Sequence, residues 1–391
     1  MDRAEQLKKE AQGQIAAHRQ ELEELSLRIH GNPELSLEEE KSSRWLSEYL
    51  AGKGFEVTKP AYGLPTAFEA VYGEGNPSIG IIAEYDALPG IGHACGHNII
   101  ATAAVGAGIA AKSAADAFGA TIRVIGTPGE EGRGGKIRMA RNGAFKNVDA
   151  AMMVHPGDYN TSGCEAMAVA ILEVEFHGKA SHAAGAPEQG INALESMIIS
   201  YNAINSLRQH VVDGSRVHGI ITEGGQAANV VPAHSAGLFY IRAKDDDYIE
   251  ALKERVIACF EAGARATGAR LEHRWSEPQY STMKNNGVIS ALYARNLESL
   301  GRKVESYQGR NFGSTDMGNV SYMMPGIHPI IAVAPRGVAI HTEEFETHAG
   351  SEAGHRAMAD GATAMAWTVI DLLSEPTRLS QAREEFQGGS D

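Results

Sequence analysis

Apolar positions recur at helical spacing over residues 4–30, where Ile15, Leu22, Leu25 and Ile29 share one face, and Gly31-Asn32-Pro33 stops the pattern. Ser36-Leu37-Glu38-Glu39 then reads as a capping box opening a second helix, with Trp45, Leu46, Tyr49 and Leu50 as its buried stripe. Gly52 and Gly54 end that helix, and Phe55-Glu56-Val57 alternates like a strand. Short apolar runs follow at residues 78–84, 121–127, 150–155 and 329–335, each bounded by turn residues. Helix candidates lie between them, notably residues 98–115, so dense in Ala and Gly that the helix can pack very close to a sheet. Strands interleaved with helices predict an α/β domain with an open, mostly parallel sheet.

The middle of the chain has another rhythm. Residues 169–177 alternate over a full strand, and a long helix is expected over 188–210. Alternating strands at 217–222 and 235–242, a helix over 245–266 and a last strand at 270–275 complete a β-α-β-β-α-β order. This is an α+β insert at 168–280, interrupting a larger domain built from 1–167 and 281–391. The polar tail after Ser374 is expected to fray.

Length agrees with two domains, since 391 residues exceed one ordinary core. Apolar residues at 43% and charged residues at 21% describe a globular chain of enzyme size. Lys and Arg number 35 against 49 Asp and Glu, a net charge of −14, which argues against a nucleic-acid or anionic-membrane partner. No uninterrupted apolar window approaches a membrane span, and Met1-Asp2-Arg3-Ala4-Glu5 leads into a charged helix rather than a secretory signal. Cys95, Cys164 and Cys259 are odd in number and far apart, unlike a disulfide framework, so a reducing, cytoplasmic setting is expected.

The candidate chemistry centres on Gly92-His93-Ala94-Cys95-Gly96-His97-Asn98. Cys95 and His97 stand two apart, so no helix face could carry both, but a tight turn through Gly96 could aim them at one point. Cys and His suit a borderline-soft divalent ion; the alternative reading of the same pair is a thiol hydrolase, with Cys95 as nucleophile and His97 as base. Further segments follow apolar strands: Glu130-Glu131, His155 and His341. Ligands in open α/β sheets bind beyond the carboxyl ends of the strands, where these side chains would gather. A bare Glu-Glu pair is ordinarily two solvated charges, and a lone histidine an ordinary hydrogen-bonded one. In this company, neighbouring glutamates that point apart let one bind metal while the other faces a water that needs a base.

Several ordered stretches carry a resemblance: Glu84-Tyr85-Asp86-Ala87-Leu88-Pro89, Gly92-His93-Ala94-Cys95-Gly96-His97, Gly126-Thr127-Pro128-Gly129-Glu130-Glu131, Gly178-Lys179-Ala180-Ser181-His182-Ala183, Gly224-Gly225-Gln226-Ala227-Ala228-Asn229-Val230-Val231-Pro232 and Gly313-Ser314-Thr315-Asp316. Together they resemble the aminoacylase and carboxypeptidase family of dinuclear metallopeptidases, in its amidohydrolase branch with hippurate hydrolase, auxin-conjugate amidohydrolases and p-aminobenzoyl-glutamate hydrolase. The resemblance implies a zinc-peptidase-like catalytic domain with helices on both sheet faces, and an inserted lid that forms a homodimer.

It implies two divalent ions per subunit, zinc or manganese with cobalt as a further option, bridged by Cys95. Glu131 and His341 would complete one, His97 and His155 the other, with Asp86 orienting a ligand imidazole. Glu130 would be the general base and later acid. His182 would stabilise the oxyanion in a partner's site, and Asn229 and Arg242 would hold the carbonyl and terminal carboxylate of an N-acyl, N-aroyl or aminoacyl amino acid. Gly313–Asp316 would open a helix near the pocket whose N–H groups could hold an anion, or Asp316 could serve only as its cap. Glu84 and Asn98 depart from the common pattern, in agreement with the members resembling p-aminobenzoyl-glutamate hydrolase and dipeptidases for basic C-terminal residues. The competing readings are the cysteine hydrolase and a non-catalytic subunit that binds N-acyl amino acids.

Overall fold

The computed structural model describes residues 2–309 and 313–388. Twelve strands occur among them: β1 Glu56–Thr58, β2 Phe68–Tyr72, β3 Ser78–Ala83, β4 Thr121–Gly126, β5 Ala150–Met152, β6 His155–Gly157, β7 Ala168–His177, β8 Arg216–Glu223, β9 His234–Ala243, β10 Arg270–Trp275, β11 Gly326–Ile327 and β12 Ile330–Ala332. The chain forms two compact units.

The first unit comprises Met1–Glu165, Met283–Phe312 and Asp316–Asp391. Its six-stranded sheet runs β1-β2-β4-β3-β5-β11, parallel from β4 to β11, with β1 and β2 antiparallel at one edge. This is the open, mostly parallel α/β sheet expected from the apolar runs. The reason those runs are continuous is visible in β3, which is buried at every position. Ile79 and Ile81 enter a core shared with helices Arg3–His30, His97–Ala110 and Glu352–Ser374, while Ile82 enters a second core with Met139, Phe145 and Val320. Both faces are covered, so neither can be polar. Helix His97–Ala110 is buried throughout, and a Cβ on Gly108 would lie 2.4 Å from Val124 Cγ2, the close approach its small residues permit. The run His97–Phe118 is apolar enough to cross a membrane by composition, yet 89% of its window is buried in this unit.

Three local expectations are corrected. Ser36 does not cap a helix: the second helix begins only at Glu40, and Ser36 Oγ donates instead to Asp86 Oδ2 (2.7 Å) and to the Glu131 carbonyl (3.0 Å). The tail after Ser374 is ordered as helix Pro376–Gly388, because Leu379 and Ala382 are buried in the core. The strand expected at 329–335 is only β12, which pairs with β6 in a separate two-stranded sheet.

The second unit comprises Ala166–Thr282 with Gly313–Thr315. Its antiparallel sheet runs β10-β7-β9-β8, and β9 alternates strictly between buried and half-buried positions. The buried side turns Phe176 and Phe239 toward helices Ala193–Leu207 and Asp246–Thr267, and Phe260 of the latter packs on both rings. These helices start at Asn192 and Asp245, whose side chains accept backbone N–H groups. They approach closely at Gly263, where a Cβ would sit 2.2 Å from Ser200 Oγ. The expected helix over 188–210 is shorter, with 3-10 turns at Pro187–Gln189 and Arg208–His210 flanking it.

Candidate metal centre

Four segments leaving buried strands converge in the first unit. After β3 the chain passes through Glu84 and Asp86, both buried, and reaches Gly96 with φ 76° just before helix His97–Ala110. A Cβ on Gly96 would meet Pro156 carbons at 2.8 and 2.9 Å, so only glycine allows this turn. After β4, left-handed Gly129 and Gly132 flank Glu130 and Glu131, and Glu131 itself leaves the helical region (φ −68°, ψ 82°). The two carboxylates therefore diverge: Glu131 faces His97 and His341, whereas Glu130 groups with Glu84 and His97. His155 opens β6. His341 sits in the left-handed region at φ 66°, uncommon for a non-glycine residue, with its N–H bonded to the Ala94 carbonyl at 2.9 Å.

The result is two groups of potential ligands that share one atom. Cys95, His97 and His155 form one and Cys95, Glu131 and His341 the other, each with its ligand atoms within 4.8 Å of one another. Tautomers follow from the partners. His97 Nδ1 donates to Asp86 Oδ1 (3.0 Å), which leaves a buried Nε2 without a hydrogen-bond partner, 4.0 Å from Glu131 Oε1. His155 Nδ1 donates to the Pro156 carbonyl (2.7 Å) and turns Nε2 toward Cys95 Sγ at 3.5 Å. His341 Nε2 lies 3.6 Å from the same Glu131 Oε1, which is itself buried and unbonded. The unpartnered His97 Nε2 and Glu131 Oε1, buried beside one sulfur, are costly without a cation and fit a borderline-soft divalent ion. His93 is in neither group; it stacks on His30 at 6.3 Å between ring centroids.

Charge is arranged around these groups. Asp86 is held well below the usual carboxylate range: burial opposes its charge, but His97, the Glu131 N–H (2.9 Å) and Ser36 outweigh it. Burial pushes the Cys95 thiol up, and the Glu131 carboxylate adds to that. A thiol hydrolase built on Cys95 and His97 would leave His155, Glu131 and His341, gathered around the same sulfur, without a role. Burial, with Glu84 and Glu131 nearby, holds the Glu130 carboxyl well above the ordinary range.

Behind Glu130 lies a cluster that sequence reasoning missed. Lys136 is fully buried, and its Nζ donates to Glu84 Oε2 (2.6 Å) and Asp316 Oδ1 (2.7 Å) while its backbone N–H reaches Asp316 Oδ2 (2.8 Å). Burial opposes the charge on Lys136, but Asp316 and Glu84 raise its pKa. Asp316 makes no side-chain cap to the helix it precedes, Met317–Ser321, because Lys136 takes both of its carboxylate oxygens. Glu39, also missed, accepts the N–H groups of Leu37 and Gly129 and the Thr66 hydroxyl from a buried position. Nothing in a single sequence separates a buried Lys or Glu in a Gly-flanked turn from a solvated one.

His182, Asn229 and Arg242 belong to the second unit. His182 is exposed and its Nδ1 accepts the N–H groups of Ala184 (3.2 Å) and Gly185 (3.0 Å), leaving Nε2–H as a donor. Asn229 is exposed, and its carbonyl accepts the Ala183 N–H at 3.0 Å. Arg242 Nη1 donates to Ser314 Oγ at 2.8 Å.

Residues 168–267 match the peptidase dimerisation domain family. The chain is 35% identical, over 98% of its length and 93% of the relative's, to Xaa-Arg dipeptidase of Mus musculus. It is 29% identical, over 96% of its length and 94% of the relative's, to a p-aminobenzoyl-glutamate hydrolase component of Escherichia coli (strain K12). The chain belongs to the M20 peptidase family. Its fold matches that of a dinuclear metal-binding M20 peptidase from Bacillus subtilis, with a TM-score of 0.73 at 20% identity over 92% of this chain and 99% of that one. As an M20 member it is a metal-dependent hydrolase of amide bonds.

Proposed function

We propose that this enzyme cleaves the amide joining an aminoacyl or aroyl group to a free amino acid, at a centre where Cys95 and its neighbours would hold two divalent ions. The observation that carries this reading is that Cys95 Sγ belongs to both ligand groups. His97 and His155 would hold one ion, Glu131 and His341 the other, with Asp86 fixing the His97 ring. The thiolate–imidazole side favours zinc, and the carboxylate admits manganese or cobalt. When bound, such ions supply Lewis acidity toward a water and a carbonyl oxygen.

Glu130 takes a proton from the attacking water as its oxygen bonds to the carbonyl carbon. As the C–N bond breaks, Glu130 returns that proton to the leaving amine. Its raised proton affinity in this buried, acidic surrounding suits it to carry the proton until the amine leaves. We assign His182 Nε2–H to the developing oxyanion, Asn229 to the carbonyl, and the Arg242 fork to the terminal carboxylate, on the strength of the matching motifs. Homodimerisation is assigned to edge strand β8, which pairs only with β9 and exposes Ile220 and Ile221. The substrate class comes from the relatives, one an Xaa-Arg dipeptidase and one acting on p-aminobenzoyl-glutamate.

The test is a hydrolysis screen over basic-ended dipeptides, aminobenzoyl-glutamate, hippurate and indoleacetyl amino acids, run with metal analysis. Activity should vanish on chelation and return with two equivalents of zinc, manganese or cobalt. Full turnover after exhaustive metal removal would refute the mechanism.

A further inference from the structure

The second unit carries a set of imidazoles and carboxylates that the proposed reaction does not use. His177 ends β7 and stands directly opposite His234, which begins β9. Glu175 of β7 places Oε2 between the two rings, 2.9 Å from His234 Nε2 and 3.7 Å from His177 Nε2. Glu272 of β10, in register with Glu175, brings Oε2 to 3.2 Å from His177 Nε2, its other oxygen being held by Arg270. Glu223 at the end of β8 lies 3.1 Å from the far nitrogen of His234, Nδ1. Each of four neighbouring strands thus contributes to one spot on the solvent-facing side of the sheet.

We propose that His177, His234 and Glu175, whose ligand atoms lie within 4.8 Å of one another, form a binding site for one borderline divalent cation of the zinc class, separate from the centre around Cys95. Three arguments support it. The spacings bracket the roughly 3.3 Å edge of a tetrahedron whose bonds are about 2.0–2.1 Å. Glu223, 3.1 Å from His234 Nδ1, is placed as the outer carboxylate of a ligating imidazole, so that Nε2, which meets Glu175 Oε2 at 2.9 Å, would turn its lone pair to the ion. Three carboxylates against one guanidinium leave two negative charges uncompensated when the imidazoles are neutral, the charge of one dication.

The place also matters. From His177 the chain runs on to His182, and His234 follows the segment bearing Asn229. The two segments remain paired, through Gly178 N–H to the Ala233 carbonyl (2.7 Å), Val231 N–H to the Ser181 carbonyl (3.0 Å) and Ala183 N–H to the Asn229 carbonyl. An ion joining His177 to His234 therefore clamps the base of this pair. Its influence on turnover rests on the roles proposed above for His182 and Asn229; the binding itself does not.

The experiment is equilibrium dialysis of the full-length protein against low-micromolar free zinc, followed by metal analysis of wild type, His177→Ala/His234→Ala and Glu175→Gln. Wild type should hold one zinc per chain more than the double variant, and Glu175→Gln should need at least about tenfold more zinc for that equivalent, the loss typical of a weakened metal shell. Melting temperatures in chelator should coincide for all three, showing that the variants fold. Equal zinc content in wild type and the double variant would overturn the proposal. An extra equivalent in an enzyme whose activity ignores metal would instead sink the catalytic reading and leave this site standing.

Discussion

Replacing Lys136 by Met tests how the interior around Glu130 tolerates charge. The substitution nearly conserves volume but removes the ammonium that Glu84 and Asp316 share at 2.6 and 2.7 Å in a fully buried setting. Removing one partner of a buried ion pair costs about 3–5 kcal/mol, because the remaining charge is left uncompensated. Here two carboxylates are abandoned, and they can escape only by binding protons. Burial already holds both carboxyls above their ordinary values while Lys136 pulls them down, so in the variant they would rise further. The deficit is then small at pH values below the unfolded pKa and grows as pH rises through the folded value, by up to about 1.4 kcal/mol per unit for each proton involved. Urea unfolding of metal-free protein, followed by circular dichroism from pH 5.5 to 8, should show this widening gap. Thermal midpoints should drop by roughly 6–20 °C at pH 8, taking about 2–4 °C per kcal/mol. Adding Asp316→Asn should recover part of the loss. A deficit under about 1 kcal/mol that is flat with pH would refute the claim that Lys136 neutralises these carboxylates.

Other expectations can be checked alongside. Glu130→Gln should retain its metal yet lower kcat at least about a hundredfold, the usual scale for an acid–base group, read by steady-state kinetics with metal analysis. Glu39, pushed up from 4.5 to about 7 chiefly by burial and then by Asp86, binds its proton more tightly in the folded chain. Its contribution to stability is full below pH 4.5, fades between 4.5 and 7 and is gone above, a change of at most about 3 kcal/mol. Glu39→Gln should flatten that part of the stability profile, and identical wild-type and variant slopes would contradict it.

The parallel sheet was legible because its strands are covered on both faces, so β3 and β4 appear as unbroken apolar runs between turn residues. The alternation of β7 and β9 was equally readable, since one face of their sheet packs on helices and the other does not. What escaped was long-range pairing. Ser36 sits where a helix cap would, but Asp86, fifty positions away in sequence, takes its hydroxyl. Lys136 looks like any helical lysine until Asp316, 180 positions away, is brought against it. The clustering of Cys95 with His97 is local, set by one glycine, whereas the approach of His155 and His341 depends on strand order that no spacing encodes.

Asp86 joins the two ligand groups a second time, beyond the sulfur they share. One of its oxygens takes the His97 ring and the other takes the Glu131 backbone, so a single carboxylate adjusts a donor in each group. Occupancy of one position then prepares the other, and loading should be cooperative. At half-stoichiometric zinc, native mass spectrometry should find mostly empty and doubly filled subunits, with singly filled ones scarce.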